Sequence, residues 1–256
     1  MVDIHCHILS GVDDGPDNYM IFKEMANRAV SEGITRLFAT PHHLNGKYEN
    51  KKIDVLKYVD LFNGYLKKEN IPLVILPGQE LRIHREIFHT IEKDEVLTLG
   101  NQNKYLLLEL PSGEVPDYTL EVVYELLLKG ITPIIVHPER NRGLLSDNNL
   151  LYELVQEGAL TQLTAGSMIG QFGKKVKSFS EKIIEHHLSH FIASDAHNVH
   201  TRGFCLQSAY ERIANLYGIH QTYYFKENAE LLINGQHIIT QKPLPIRKKI
   251  FGLFYS

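Results

Sequence analysis

Cysteine is scarce in this chain. Cys6 and Cys205 are the only two; they form no disulfide framework and match no zinc-finger spacing, which suits a reducing compartment. Positive charge is not in excess either: 27 Lys and Arg stand against 30 Asp and Glu, a formal net charge of -3. No global field therefore exists to hold a nucleic-acid backbone or an anionic membrane, and any anionic ligand must be held locally. No apolar run reaches the roughly 18 residues of a spanning helix. The opening Met-Val-Asp-Ile-His-Cys-His has neither the basic nor the apolar stretch of a secretory leader. These absences predict a cytoplasmic protein with no membrane insertion and no nucleic-acid partner. Repeats, low-complexity tracts and long linkers are missing too, so a second domain is hard to place.

What is present is enough for one α/β domain: 256 residues, 43% of them hydrophobic, can bury a substantial core. Short apolar runs recur at Val2 to Ile4, Thr35 to Thr40, Leu73 to Leu76, Tyr105 to Leu110, Thr132 to Val136, Leu160 to Leu163 and Phe191 to Ala193. Helical patterns separate them, the βαβα signature of a parallel sheet. Pro16 to Glu32 reads as a helix capped near Asp14 or Asp17 and stopped by Gly33, where a left-handed backbone costs little. Tyr118 to Lys129 before Gly130 and Leu150 to Glu157 before Gly158 repeat the pattern. Ser178 to Leu188, Arg202 to Leu216 and the shorter Glu227 to Ile233 also carry helical periodicity. The expected architecture is a distorted (β/α)7 barrel over residues 1–241. A basic and apolar tail follows at 242–256, with Arg247-Lys248-Lys249, Ile250, Phe251, Leu253 and Phe254, suited either to packing on the barrel or to gripping an acidic partner.

The chemistry sits at the strand ends. In His5-x-His7 a period of two puts both imidazoles on one side and Cys6 on the other. Beyond later runs come His42 and His43, Glu80, Glu109, His137, and Asp195-Ala-His197. In a barrel these ends face one mouth, where active sites lie. Chance accounts for one or two such placements, not for nearly every strand. Imidazole plus carboxylate without thiolate suits Mn²⁺, Fe or Zn²⁺, and the donors outnumber one coordination sphere, so we expect more than one ion. Clustered metals can bind a phosphoryl oxygen, activate water and neutralise a leaving oxygen, the work of a phosphoesterase. Cysteine phosphatases instead use Cys-x5-Arg; here the sixth residue after Cys6 is Val12, and after Cys205 it is Glu211. Arg140 and Arg202 lie close in sequence to these donors, and a guanidinium fork matches phosphate oxygens. We assign both to substrate phosphate as catalytic and binding groups. His84, His89, His186, His187, His190, His220 and His237 fall away from strand ends and read as surface or packing residues, whereas His43 and His200 lie nearer the cluster. Tyr48, Phe172 and Phe204 are aromatic neighbours that could line a pocket.

Asp3-Ile-His-Cys-His7, Val12-Asp-Asp-Gly15, Ala39-Thr-Pro-His-His43, Gly78-Gln-Glu80, His137-Pro-Glu-Arg-Asn141 and Ser194-Asp-Ala-His197 together resemble the polymerase-and-histidinol-phosphatase superfamily. Within it they resemble the bacterial tyrosine-protein phosphatases of capsule and exopolysaccharide gene clusters. The likeness spans nearly the whole chain. It implies three metals: His5, His7, Glu80 and Asp195 on one, Glu80, Glu109 and His137 on a second, Asp14, His42 and His197 on a third. It also implies Mn²⁺ as the usual activator, a tyrosine-rich bacterial autokinase as substrate, and assembly into homo-oligomers. Where many superfamily members have histidine, this chain has Asp14 and Glu109, as the tyrosine phosphatases do. Asp13 and His43 both remain open as proton donors. The competing expectations are a histidinol-phosphate or other small-molecule phosphatase on the same scaffold, and a non-catalytic metal-binding or scaffolding module.

Overall fold

The computed structural model describes residues 1–246. Arg247 to Lys249 and the apolar residues after them, on which the reading of the tail rests, lie outside the described residues. Among the described residues nine strands form, β1 Val2–Cys6, β2 Arg36–Ala39, β3 His42–His43, β4 Val74–Pro77, β5 Glu80–Arg82, β6 Tyr105–Glu109, β7 Thr132–Val136, β8 Leu160–Thr164 and β9 Phe191–Ala193. Every apolar run named above holds one. All pairings are parallel, in two sheets ordered β1-β2-β4 and β3-β5-β6-β7-β8-β9.

The second and third runs each carry on past a break into a further short strand. Pro41, which has no N–H for a ladder, separates β2 from β3, and Gly78-Gln79 separates β4 from β5. The short continuations belong to the larger sheet. On the far side, the chain just after β9 runs beside β1: Asp195 N–H donates to His5 O at 2.9 Å, and His7 N–H to Ala196 O at 2.9 Å. The fold is thus α/β with parallel strands. Among the described residues the ladder does not close into one sheet.

Helices cover the sheets: α1 Tyr19–Ser31, α2 Lys52–Lys68, α3 Ile87–Glu92, α4 Thr119–Leu128, α5 Arg142–Ser146, α6 Asn148–Glu157, α7 Ala165–Ile169, α8 Lys174–Glu185, α9 Leu206–Tyr217 and α10 Ile219–Ile233. The cap of α1 is neither Asp14 nor Asp17 but Asn18, whose side chain accepts from the N–H groups of Met20 and Ile21 at 3.0 and 3.1 Å. Asp14 is thereby free for other contacts. Helix α2 was not predicted, although Val55, Val59, Phe62 and Leu66 form a buried stripe at helical spacing. The short α3, α5 and α7 were also missed, and α10 is longer than expected.

Strands β1, β6 and β8 are buried along their whole length; β6 is apolar up to Glu109, as a strand covered on both faces tends to be, whereas β1 and β8 also bury Asp3, His5, Thr161 and Gln162. In β6, Leu106 and Leu108 join the core under the helices, while Tyr105 and Leu107 join a second cluster with Ile134, Val136 and Phe191. Glu109 follows Leu107 by two residues and shares its side. The apolar filling therefore ends in a carboxylate at the carboxyl end of the strand. No described helix is long and apolar enough to cross a membrane.

Candidate metal centre

His5 is the last residue but one of β1, and His7 lies just beyond the strand. Gln162 from β8 meets His5 Nδ1 through Oε1 at 2.9 Å. Asp13 Oδ2 accepts from His7 Nδ1 at 2.6 Å. With each Nδ1 donating, the two Nε2 atoms face one another at 3.2 Å and confront Glu80 Oε2 at 3.5 and 3.2 Å. Glu80 opens β5 and is fully buried. Its other oxygen, Oε1, lies 2.8 Å from His137 Nε2, and its Oε2 lies 2.8 Å from His42 Nδ1. Asp14, at the surface end of the cluster, reaches His197 Nε2 at 3.2 Å and His42 Nε2 at 3.4 Å through Oδ1. The His197 ring stacks on that of His7 with centroids 3.8 Å apart. Asp195 Oδ1 is 3.6 Å from His5 Nε2 and 3.5 Å from His7 Nε2.

The nine residues expected to hold metal thus come to one place, whereas His43 does not. Three overlapping sets have their donor atoms within 4.8 Å of one another: His7, Asp14, His42 and His197; His5, His7 and Glu80; His42, Glu80 and Glu109. The grouping differs from the one implied by resemblance. His7 joins the outer set, and His42 rather than His137 stands with Glu80 and Glu109. Asp195 is also gripped from behind, by Arg140 Nη2 at 2.5 Å and Arg202 Nη2 at 3.0 Å from its Oδ2.

The donors differ in their electrostatics. Burial pulls the His7 imidazole down, but Asp13 and Glu80 outweigh it and hold its pKa well above the ordinary value. Burial pushes Glu80 up, yet His5, His42 and His137 hold it well below the carboxylate range. Asp195 is likewise held well below, against its burial, by Arg140, His5 and Arg202. Glu109 has the opposite balance and is raised by burial and by the charge of Glu80. Burial and the cation of Arg140 lower His137 to about 4, and burial with His7 lowers His197 to about 4.

Three atoms test whether a cation fits. Glu80 Oε2, His42 Nδ1 and His197 Nε2 are buried and make no hydrogen bond, although the first two are only 2.8 Å apart. A buried polar atom left without a partner costs about 1–3 kcal/mol. Oxygen and imidazole donors crowded in this way, without thiolate, are the set a hard or borderline divalent cation takes. His137 and Asp195 also sit at left-handed φ values of 37° and 52°, a conformation costing about 1–2 kcal/mol for a residue with a Cβ. Such strain collects at functional sites.

Beside the donors lies a cleft of about 270 Å³, bounded by His42, Glu80, Glu109, His137, Arg140 and Arg202. Phe172 forms part of its wall, and the Arg140 guanidinium lies 4.9 Å over that ring. Tyr48 stacks at 6.2 Å on His42, while Phe204 is buried in the core. His43 is buried away from the cleft, accepts the Asn50 N–H at 3.1 Å, and is lowered to about 4 by burial. His200 lies exposed in a turn around Asn198. Both thiols are buried; burial pushes Cys205 up to about 12 and Cys6 well above the ordinary value.

The sequence reading missed several partners. Arg82 places Nε and Nη2 each 2.9 Å from Glu109 Oε2. Gln162 orients His5, and Asn50 Nδ2 donates to the carbonyls of His42 at 2.8 Å and Val12 at 3.0 Å. Asp13, left open above as a proton donor, instead binds His7 and the N–H groups of His42 and Gly15 at 3.1 and 3.0 Å. Gln162 follows Thr161 in the half-polar run Leu160 to Leu163, which carries no signal of its own.

Comparison with known proteins finds one family and relatives that match over nearly the whole chain. The capsular polysaccharide synthesis family CpsB/CapC matches residues 1–234. Tyrosine-protein phosphatase YwqE of Bacillus subtilis (strain 168) is 48% identical over 255 residues, which is 99% of this chain and 100% of YwqE. Tyrosine-protein phosphatase CpsB of Streptococcus agalactiae serotype V is 28% identical over 244 residues, 93% of this chain and 100% of that protein. A crystal structure from work on YwqE of Bacillus subtilis and CpsB of Streptococcus pneumoniae, described as unique metal-dependent tyrosine phosphatases, superposes with a TM-score of 0.94. It is 46% identical, covering 97% of this chain and 100% of its own.

Proposed function

The chain belongs to the CpsB/CapC capsular polysaccharide synthesis family, and from that premise we propose that it is a metal-dependent tyrosine-protein phosphatase hydrolysing phosphotyrosine in proteins. The observation that carries this reading is the position of Arg140 and Arg202 on the cleft that the donor cluster borders, two forks for a phosphate beside sites for cations.

His5, His7, Asp14, His42, Glu80, Glu109, His137, Asp195 and His197 would hold the cations. By resemblance they are three Mn²⁺ ions, and the donor set also suits Fe or Zn²⁺. When bound, the cations supply Lewis acidity toward the phosphoryl group and activate water for its displacement. The protein's own residues do the rest. Arg140 and Arg202 bind the phosphate oxygens and stabilise the charge that spreads over them during displacement. Phe172 braces Arg140 from one side, and Arg82 fixes the carboxylate of Glu109. The leaving phenolate has a pKa of about 10 and needs less protonation than an alkoxide, so a strong general acid is not required.

We infer further that the protein substrate is a bacterial tyrosine autokinase controlling capsule or exopolysaccharide synthesis, that the enzyme works in the cytoplasm, and that it assembles as a homo-oligomer. The two sheets are read as a distorted (β/α)7 barrel, closed between β1 and β9 near the Cys6–Ala196 bridge, within a domain of residues 1–241 ahead of the tail at 242–256.

The test is turnover of a phosphotyrosine peptide, a phosphoserine peptide and histidinol phosphate by metal-stripped protein resupplied with Mn²⁺. Preference for phosphotyrosine supports the reading. Preference for histidinol phosphate would replace the substrate, and no turnover of any ester would leave a non-catalytic metal-binding module.

A further inference from the structure

A second concavity adjoins the cleft. Helix α5 begins directly after Asn141 of the cleft wall, and α8 begins two residues after Phe172. Between these helices runs an open groove of about 700 Å³ with Arg142, Lys174, Lys175 and Lys182 along it and Leu145 and Phe179 among its apolar lining. All four cations are exposed. Among the described residues none of them has a carboxylate within salt-bridge distance, whereas Arg85, Arg212 and Lys51 elsewhere on the surface do.

The absence of acid in the groove is built into the helices. Lys174, Lys175, Ser178 and Lys182 share one face of α8. Glu181 and Glu185 border this face but are engaged outside the groove, Glu181 by Arg212 at 2.5 Å and Glu185 by Tyr217. Asp147, which lies between the groove residues Ser146 and Asn148, turns its carboxylate to the Asn149 N–H as the cap of α6. A chain of net charge -3 therefore keeps one concentrated positive strip, and keeps it beside the phosphate-binding arginines.

We propose that this groove binds acidic side chains flanking the phosphotyrosine of an extended peptide substrate, so that it selects phosphotyrosine in acidic sequence; the inference rests on the phosphatase reading above. A small aryl phosphate fills only the cleft. A peptide rising about 3.3 Å per residue passes from Arg140 and Phe172 to Arg142 and Lys174 within a few residues. Steering by such a strip is screened by salt.

The experiment compares kcat/KM of the Mn²⁺-loaded full-length protein on three phosphotyrosine peptides with Glu and Asp, Gln and Asn, or Lys flanks on both sides, with p-nitrophenyl phosphate as the substrate confined to the cleft. The acidic peptide is expected to exceed the neutral one by about tenfold at low salt, as two or three exposed ion pairs allow, and the margin shrinks as salt rises. In the triple variant K174A/K175A/K182A the preference disappears while p-nitrophenyl phosphate turnover is retained. Equal kcat/KM on all three peptides, with aryl phosphate turnover intact, overturns the groove assignment and leaves the phosphatase standing. No turnover of aryl phosphate or of any peptide overturns the phosphatase and the groove's role together. Binding of anionic vesicles through these lysines without any peptide preference would give the groove to a membrane surface instead, and also overturns the proposal.

Discussion

Asp13 Oδ2 lies 2.6 Å from His7 Nδ1 and also accepts the backbone N–H of His42 at 3.1 Å. One carboxylate oxygen thus sets the ring of one candidate ligand and the backbone of another. A partner of this kind fixes the tautomer and raises the basicity of the coordinating nitrogen.

Replacing Asp13 by Asn should therefore weaken metal binding by about 10–100-fold, the range typical of partners behind a ligand, with little loss of fold in chelator. Isothermal titration of stripped protein with Mn²⁺ measures it. Affinity equal to that of the parent protein would show that His7 needs no such support.

Arg140 and Arg202 both grip Asp195, so the roles of the arginines in substrate binding and in local charge balance must be separated. R140A is expected to lower kcat/KM on a phosphotyrosine peptide by about 10²–10³-fold, as loss of one preorganised donor to transition-state charge does, while metal content stays the same because Arg202 still covers Asp195. If metal content falls in step with activity, the Arg140 side chain serves the metal site rather than the phosphate.

The strand ends were legible because a parallel strand buried on both faces is apolar until it reaches the mouth, so His5, Glu109 and His137 stand out against what precedes them. The residues behind those ligands were not. Gln162 stands between Thr161 and Leu163 in β8 and gains its meaning only from that strand bringing it to His5. Arg82 pairs with Glu109 only because β5 and β6 are neighbours in register, a tertiary fact. The grouping of donors was hidden for the same reason, since whether His42 or His137 stands with Glu109 depends on loop paths. Helix α2 was legible in principle from Val55, Val59, Phe62 and Leu66, but the exposed apolar residues Tyr58 and Leu61 among them blur the stripe.

Stability should depend on pH through His190. Its ring is buried, Nδ1 accepts the Thr161 N–H at 3.1 Å, and burial pushes its pKa from 6.5 down to about 3. Between those values the unfolded chain binds a proton that the fold refuses, so stability falls as pH drops through 6.5 and levels off near 3. Asp3 runs the other way: burial raises it from 3.8 to about 6, so the fold holds its proton first and offsets part of the loss. Comparison with H190Q removes that offset. Between pH 7 and 5, in chelator, the parent protein should lose about 2 kcal/mol more than H190Q in urea unfolding, at roughly 1.36 kcal/mol per pH unit below 6.5. Parallel pH profiles would mean that His190 does not set the slope.

Gly15 offers the sharpest test of the loop that carries Asp13 and Asp14. A Cβ placed there would run into the backbone carbonyl oxygen of His7 and approach Asp13 Oδ1 at 3.1 Å. Backbone cannot swing aside as a flexible side chain can, so the strand end holding His7 or the loop holding both aspartates must move. Overpacking of this kind costs about 1–3 kcal/mol. In G15A the shift falls on His7 and Asp14, two members of one donor set, so loss of metal affinity should exceed the loss of stability measured in chelator. The comparison is G64A. Gly64 lies within α2 with no atom within 4 Å of a new Cβ, so alanine there should stabilise by about 0.5–1 kcal/mol and leave Mn²⁺ affinity unchanged. If G15A lowered stability and metal affinity by the same free energy, the effect would be one of general folding. A larger drop in affinity locates the damage in the geometry of the His7 and Asp14 donors.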